Sequence, residues 1–176
     1  MGKKLLNDEL ERLSIADYKK ATKVPIIVIL DNIRSLSNIG SVFRTADGFR
    51  IEAVYLCGIT AQPPHREIHK TALSATESVD WLYFNTTEEA VRILKEKDFR
   101  IISVEQVDDS VMLNDFVIDK DSSYALIFGN EVKGVKDGVI ALSDSCIEIP
   151  QWGTKHSFNV SVSVGIVLWD IVLKFK

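Results

Sequence analysis

Cysteine is scarce in this sequence of 176 residues, with Cys57 and Cys146 the only two. Each sits in or beside an apolar run, VYLCG and SCIEIP, where an unpaired thiol behaves as a small buried hydrophobe. No Cys/His spacing suits zinc, and the three histidines, His65, His69 and His156, do not cluster like a metal site. No G-x-G-x-x-G occurs, and the glycine turns lack the Lys-Ser/Thr ending of a Walker A loop, so neither a Rossmann dinucleotide site nor a nucleoside-triphosphate loop is supported. Long apolar runs are missing as well. The most apolar stretch, Val160 to Leu173, is interrupted by Ser161, Ser163, Gly165 and Asp170, which makes it too short and too polar for a bilayer span. Repeats, low-complexity tracts, linkers and a secretory signal are also absent. Together these absences predict one compact soluble domain in a reducing cytoplasm, with no metal and no membrane partner.

Positive charge is in short supply overall, since 21 Lys+Arg face 25 Asp+Glu for a net charge of −4. That balance argues against a generic nucleic-acid binder, whose non-specific affinity comes from neutralising phosphates. The distribution is uneven, however. Residues 1–70 carry 11 Lys+Arg against 8 Asp+Glu, while residues 71–176 carry 10 against 17. An RNA-facing surface built from Lys19, Lys20, Lys23, Arg34, Arg44, Arg50 and Arg66 is compatible with this asymmetry, as is an ordinary solvated mixed surface.

What the chain does have is a run of short β-rich segments: Ile26 to Leu30, Glu52 to Cys57, Trp81 to Phe84, Arg100 to Glu105, Tyr124 to Phe128 and Cys146 to Pro150. Most are nearly continuous in apolar residues, the pattern of strands covered on both faces in a parallel sheet. Helix candidates lie between them at Asn38 to Phe49, Thr87 to Lys97 and Val135 to Leu142. The alternation predicts a doubly wound α/β sheet. Ahead of it, Leu10, Leu13, Ile15 and Tyr18 fall at roughly helical spacing and predict a short amphipathic helix. At the other end, Val160, Val162 and Val164 alternate like a strand, whereas Ile166, Val167, Trp169 and Leu173 fit a helix, and length favours the helix.

Three segments carry candidate chemistry. In LDNIRSLSNIGSVFRTADGF, Leu30 to Phe49, a strand passes through a polar turn into a helix, at the kind of place where α/β proteins bind ligands. Asn38, Gly40 and Arg44 are site candidates there, with a helix cap, close packing and a solvated helix residue as their respective competing readings. In LIFGNEVKGV, Leu126 to Val135, Gly129 permits a tight turn or a close backbone approach, and Glu131 reads either as functional or as a first-turn acid. In IEIPQWGTKHSFNVSVSVGI, Ile147 to Ile166, small polar residues precede a buried helix, and capping accounts for Ser157 or Asn159 singly. It does not account for all three segments together.

NIGSVFRTAD, LIFGNEVKG and IP-x-x-G-x-x-x-SFNVSVSVGI, in this order and spacing, resemble the three motifs of the SpoU (TrmH) family, a branch of the SPOUT superfamily. The resemblance covers almost the whole region from Ile26 to Leu173 and leaves only the N-terminal helix outside. It implies an N-terminal helical extension over residues 1–24 and a SpoU-type methyltransferase domain over 25–176. It further implies a parallel-sheet α/β knot whose C-terminal part is threaded as a deep trefoil, one of the rare exceptions to unknotted chains. The implied activity is S-adenosylmethionine-dependent methylation of a ribose 2′-hydroxyl in RNA. Asn38 and Arg44 match the polar pair of the first motif, Glu131 the acid of the second, and Ser157 and Asn159 the polar pair of the third. The cofactor would sit in the knot, held largely by backbone at Val104, Gly129, Ile149 and Phe158. Gln151, His156 and Phe158 depart from the common pattern of methionine, an acid and leucine at those positions. Relatives work as homodimers through the C-terminal helix and assemble the RNA site across both subunits.

The short segment before Ile26 leaves no room for the separate RNA-binding domain of many rRNA-directed relatives, so tRNA is the expected substrate. PPHREIHK, Pro63 to Lys70, is a candidate basic RNA-contacting loop. Methylation of a base nitrogen, an inactive RNA-binding paralogue and a flavodoxin-like small-molecule domain are the competing readings.

Overall fold

A computed structural model describes residues 2–176. A 3-10 turn at Asn7–Leu10 and helix α1 (Ile15–Lys20) precede β1 (Val24–Asp31), α2 (Leu36–Phe49), β2 (Ile51–Cys57), α3 (Arg66–Ala72), α4 (Ala75–Ser78) and β3 (Asp80–Phe84). Then follow α5 (Thr87–Lys95), β4 (Phe99–Val104), β5 (Val111–Met112), β6 (Ser123–Phe128), α6 (Asp137–Ile140), β7 (Ser145–Glu148) and α7 (Val160–Phe175). The seven strands form one sheet in the order β3-β2-β1-β6-β4-β7-β5, and every neighbouring pair is parallel. This is the doubly wound α/β architecture expected from the alternation of elements.

The central strands explain their own position. VPIIVILD of β1 and SYALIF of β6 are almost wholly buried, because helices cover both faces of the sheet. One face packs Val28, Leu30 and Leu126 against Ile39, Phe43, Val164 and Leu168 of α2 and α7. The other packs Ile27, Ile29 and Ile127 against Ala90, Val91, Leu94 and Val139 of α5 and α6. β3, at the sheet edge, keeps most of its residues partly or fully exposed.

Several expectations are corrected. The single amphipathic helix proposed before β1 is two short pieces, because Glu11 adopts a left-handed conformation (φ 45°) and Ser14 caps a new helix by accepting from the Asp17 amide at 3.1 Å. Of its apolar residues only Tyr18 is buried, and Leu10, Leu13 and Ile15 face solvent. Met1 lies outside the described residues. Pro63 to Lys70 is not simply a loop, since α3 begins at Arg66 with His65 as its cap. The helix proposed from Val135 to Leu142 is one turn. The ambiguous C-terminal segment is helical throughout, as α7.

Gly40 shows how α2 is seated. A Cβ there would overlap the Thr71 side chain and the Ile68 carbonyl, so its bare backbone lets α3 pack directly on α2. α2 itself starts two residues before the expected Asn38, capped by Ser35, whose Oγ accepts from the Asn38 amide at 3.3 Å. That frees the Asn38 side chain for other partners. Both cysteines are buried free thiols; burial pushes the Cys57 thiol up to about 12 and also raises Cys146.

Candidate active site

Beyond the carboxyl ends of β4, β6 and β7, three loops and the start of α7 enclose a cavity of about 560 Å³. This is where a parallel α/β sheet offers a ligand crevice, and the volume falls within the range of small-molecule sites. Val104, Gly129, Ile149 and Phe158 all line it, as do Glu131, Ser157 and Asn159.

The middle loop is built by its own backbone. Asn130 and Gly134 form an antiparallel bridge, with the Asn130 amide donating at 3.1 Å and the Gly134 amide returning at 2.8 Å. Asn130 Oδ1 accepts from the amides of Val132 (2.9 Å) and Lys133 (3.2 Å), and its Nδ2 donates to the Asn32 carbonyl at 2.7 Å, tying the loop to the end of β1. A Cβ on Gly129 would overlap the backbone of Gly134 and Val135. Gly129 is therefore fixed by the chain's own return path as well as by any ligand. At Gly134, φ is +66° and a Cβ would overlap the carboxylate of Glu105, which in turn accepts from the Val135 amide at 2.8 Å.

This frame places Glu131. It stands in the loop, well before α6, so it is not a first-turn acid. Its carboxylate reaches across the sheet to the start of α2, accepting from the amides of Arg34 (3.3 Å) and Ser35 (3.4 Å) and from Asn38 Nδ2 (3.4 Å). Desolvation pushes this carboxyl up, but hydrogen bonds from its own amide, from Arg34 and Ser35 and from Asn38 outweigh it and hold the group below its ordinary value. Asn38, which is buried, accepts on Oδ1 from Asn159 Nδ2 at 3.2 Å and from Ser161 Oγ at 3.5 Å. Asn159 caps α7 by accepting from the Ser161 amide at 2.9 Å. One chain of hydrogen bonds, Glu131 to Asn38 to Asn159, thus joins the three sequence motifs at the edge of the cavity.

Arg44 is not brought there. Six residues along α2 from Asn38 turn it through about 240°. It is exposed and lines a different cavity of about 730 Å³ with Arg12, Arg50, Lys176 and Val172. Four of the five polar candidates therefore meet within one chain, and the fifth stands apart. The sequence reading did not single out Glu105, Asn130 or Ser161. The available signals were local ones: an acid at the carboxyl end of the RIISV strand, an asparagine suited to a side-chain turn in GNEVKG, and a serine in the first turn of α7. Gln151 and His156, like Phe158 departures from the motif pattern, also line the cavity.

Residues 25–169 match the SpoU rRNA Methylase family. The chain is 32% identical over 163 residues to the 23S rRNA (guanosine-2'-O-)-methyltransferase RlmB of Neisseria meningitidis, an alignment covering 93% of this chain and 61% of that protein. It is 27% identical over 169 residues to the tRNA (guanosine(18)-2'-O)-methyltransferase of Aquifex aeolicus, covering 94% of this chain and 76% of the relative. An AdoMet-bound rRNA methyltransferase from Sinorhizobium meliloti shares the fold with a TM-score of 0.77 at 23% identity, over 87% of this chain and 58% of that one. The chain thus spans about three fifths of the length of the Neisseria relative.

Proposed function

The chain belongs to the SpoU methylase family, and from that premise we propose that it is an S-adenosylmethionine-dependent RNA methyltransferase acting on a ribose 2′-hydroxyl. The observation that carries this reading is the hydrogen-bonded line Glu131–Asn38–Asn159, which gathers polar groups from all three motifs at the rim of one cavity.

The cavity suits the cofactor. Val104, Phe128, Ile149 and Phe158 offer apolar walls for an adenosine, and Glu105, Glu131 and Glu148 give a negative lining suited to a cationic sulfonium and ammonium. When bound, S-adenosylmethionine supplies a methyl on a cationic sulfur, for transfer by a single in-line displacement. The protein's task is then largely to position the acceptor oxygen and favour its developing negative charge. Ser157 and Asn159, which line the cavity, would orient the ribose by hydrogen bonds. Glu131, held ionised, is a poor proton acceptor, and its role is to anchor the loop against α2 and to orient Asn38.

Arg44 carries a planar guanidinium with five N–H donors and suits the side chain that stabilises the 2′-oxygen. Because it lies outside its own chain's cavity, the reading assigns it to the cavity of a second subunit. A homodimer through α7 is supported by the exposure of Val162, Trp169 and Leu173 on that helix, and by the open space above Gly165, where a Cβ would meet nothing within 4 Å. β7, late in the chain, pairs between β4 and β5, which supports threading of the C-terminal part as a trefoil knot. The division into an extension over 1–24 and a methyltransferase domain over 25–176 belongs to the same proposal. So does a cytoplasmic location, which the two buried free thiols support; among the described residues no helix is long and apolar enough to cross a membrane. The relatives include both rRNA and tRNA enzymes, at 32% and 27% identity, and tRNA is the substrate class proposed for this chain.

The test is alkaline hydrolysis of RNA labelled from methyl-radioactive S-adenosylmethionine. Without its 2′-hydroxyl a ribose cannot attack the adjacent phosphodiester, so the label should emerge in alkali-resistant dinucleotides. Label in mononucleotides would reject ribose methylation.

A further inference from the structure

The loop between β7 and α7 carries a side chain that neither the fold nor the cofactor cavity uses. Trp152 is 92% exposed, the highest value among the large apolar residues described. It follows Gln151, which lines the cavity, so its Cα lies about 3.8 Å from that of a wall residue. Further along the same loop come Lys155 and His156, both exposed, and Phe158, 42% exposed and itself part of the wall. The order along the rim is aromatic, lysine, histidine, aromatic. Lys133, in the loop between β6 and α6, also lines the cavity and is exposed.

We propose that Trp152 is a stacking platform for an unpaired nucleobase of the substrate RNA, next to the nucleotide whose ribose enters the cavity, with Lys155 and Lys133 meeting the adjoining phosphates. The inference rests on the RNA methyltransferase reading and adds a mode of substrate recognition: the target lies in a single-stranded stretch or loop. Single-stranded RNA is bound by aromatic faces interleaved with positive charge, because every base has a π-face and every linkage a phosphate. A second copy of the chain is the poorer occupant. Thr154, Lys155, His156 and Ser157, which surround Trp152 in sequence, are exposed and polar or basic, whereas lysine and serine are depleted from protein interfaces.

The experiment uses the full chain and two variants, Trp152→Ala and Trp152→Phe. With RNA from cells lacking the protein as substrate, Trp152→Ala should raise KM for RNA about tenfold, the size of one base–aromatic stack, with kcat and S-adenosylmethionine affinity within about twofold of wild type. Trp152→Phe, which keeps a ring, should stay within about threefold in KM. Short unpaired oligoadenylate should quench the tryptophan emission of the wild type and leave that of Trp152→Phe nearly unquenched. Unaltered KM in Trp152→Ala, equal quenching in Trp152→Phe, or a shift of Trp152→Ala to a smaller particle by light scattering would each overturn the proposal. The quenching arm needs no methyl transfer, so it decides the stacking site even if the methyl proves to lie elsewhere than on a ribose.

Discussion

Asn38 is the hinge of the candidate site, and replacing it gives the sharpest test of the network. Asn38→Ala removes the donor to Glu131 and the acceptor for Asn159 and Ser161. The lengths, 3.2 to 3.5 Å, and the exposure of Glu131 put each bond at the weak end of its range. The expected cost is about 2 kcal/mol, or a fall in melting temperature of about 4–8 °C for a domain of this size. Asn38→Asp is nearly isosteric but sets a second carboxylate where Nδ2 stood, 3.4 Å from Glu131. The added repulsion lies between about 1 and 5 kcal/mol, from the water-like to the surface-like dielectric.

Acid separates the variants. In Asn38→Asp the pair's folded pKa is raised above the unfolded value, so the folded state holds a proton more tightly and the variant recovers stability as pH falls toward about 4. In the wild type the Glu131 pKa is depressed below its ordinary value of 4.5, so its contribution is present above that value and is lost as pH falls through the depressed one. Denaturant titrations at pH 8 and pH 5 measure the recovery of the variant, and a further one at about pH 3 measures the loss in the wild type. An Asn38→Asp protein as stable as wild type at pH 8 would show that this network does not form.

Gly129→Ala should already be destabilised by about 1–3 kcal/mol, as for an overpacked core, because the added Cβ meets the backbone of Gly134 and Val135; thermal melts of the free protein check this. Arg44→Ala should abolish methyl transfer while calorimetry finds S-adenosylmethionine affinity within about twofold of wild type, since Arg44 lies outside the cavity. Trp169→Glu should give a less stable, inactive monomer by light scattering, because it places a charge on the exposed apolar face of α7, where Trp169 is 60% exposed.

The strands were legible because continuous apolar runs such as IIVIL and YALIF admit few other readings, and six of the seven were found within two residues of their limits. β5 was not, because two residues pairing with Ile147 and Glu148 leave no periodicity to read. α3 and α4 were missed for a different reason. Leu73 and Ser74 both take positive φ, and this break splits REIHKTALSATES into pieces too short to show an apolar stripe. In the site, the motif residues were readable one by one, but their mutual bonding was not, since Glu131 and Asn38 are 93 positions apart. Asn38 itself was open to the wrong role: a cap was the local explanation, and only Ser35 taking that role leaves the amide free to join Glu131 and Asn159. The separation of Arg44 from the cavity follows from helical geometry, once α2 is known to run unbroken from Leu36 to Phe49.

Methylation of a ribose oxygen by this chain leaves a signature in cellular RNA. The most direct measurement compares RNA from cells with and without the protein, digested to nucleosides and resolved by mass spectrometry, with fragmentation separating sugar from base. The expected result is loss of one 2′-O-methylnucleoside from the tRNA fraction, restored by the wild-type chain and not by Arg44→Ala. A missing methyl found on a base, or RNA whose methylated nucleosides are the same with and without the protein, would rule out ribose methylation by this chain.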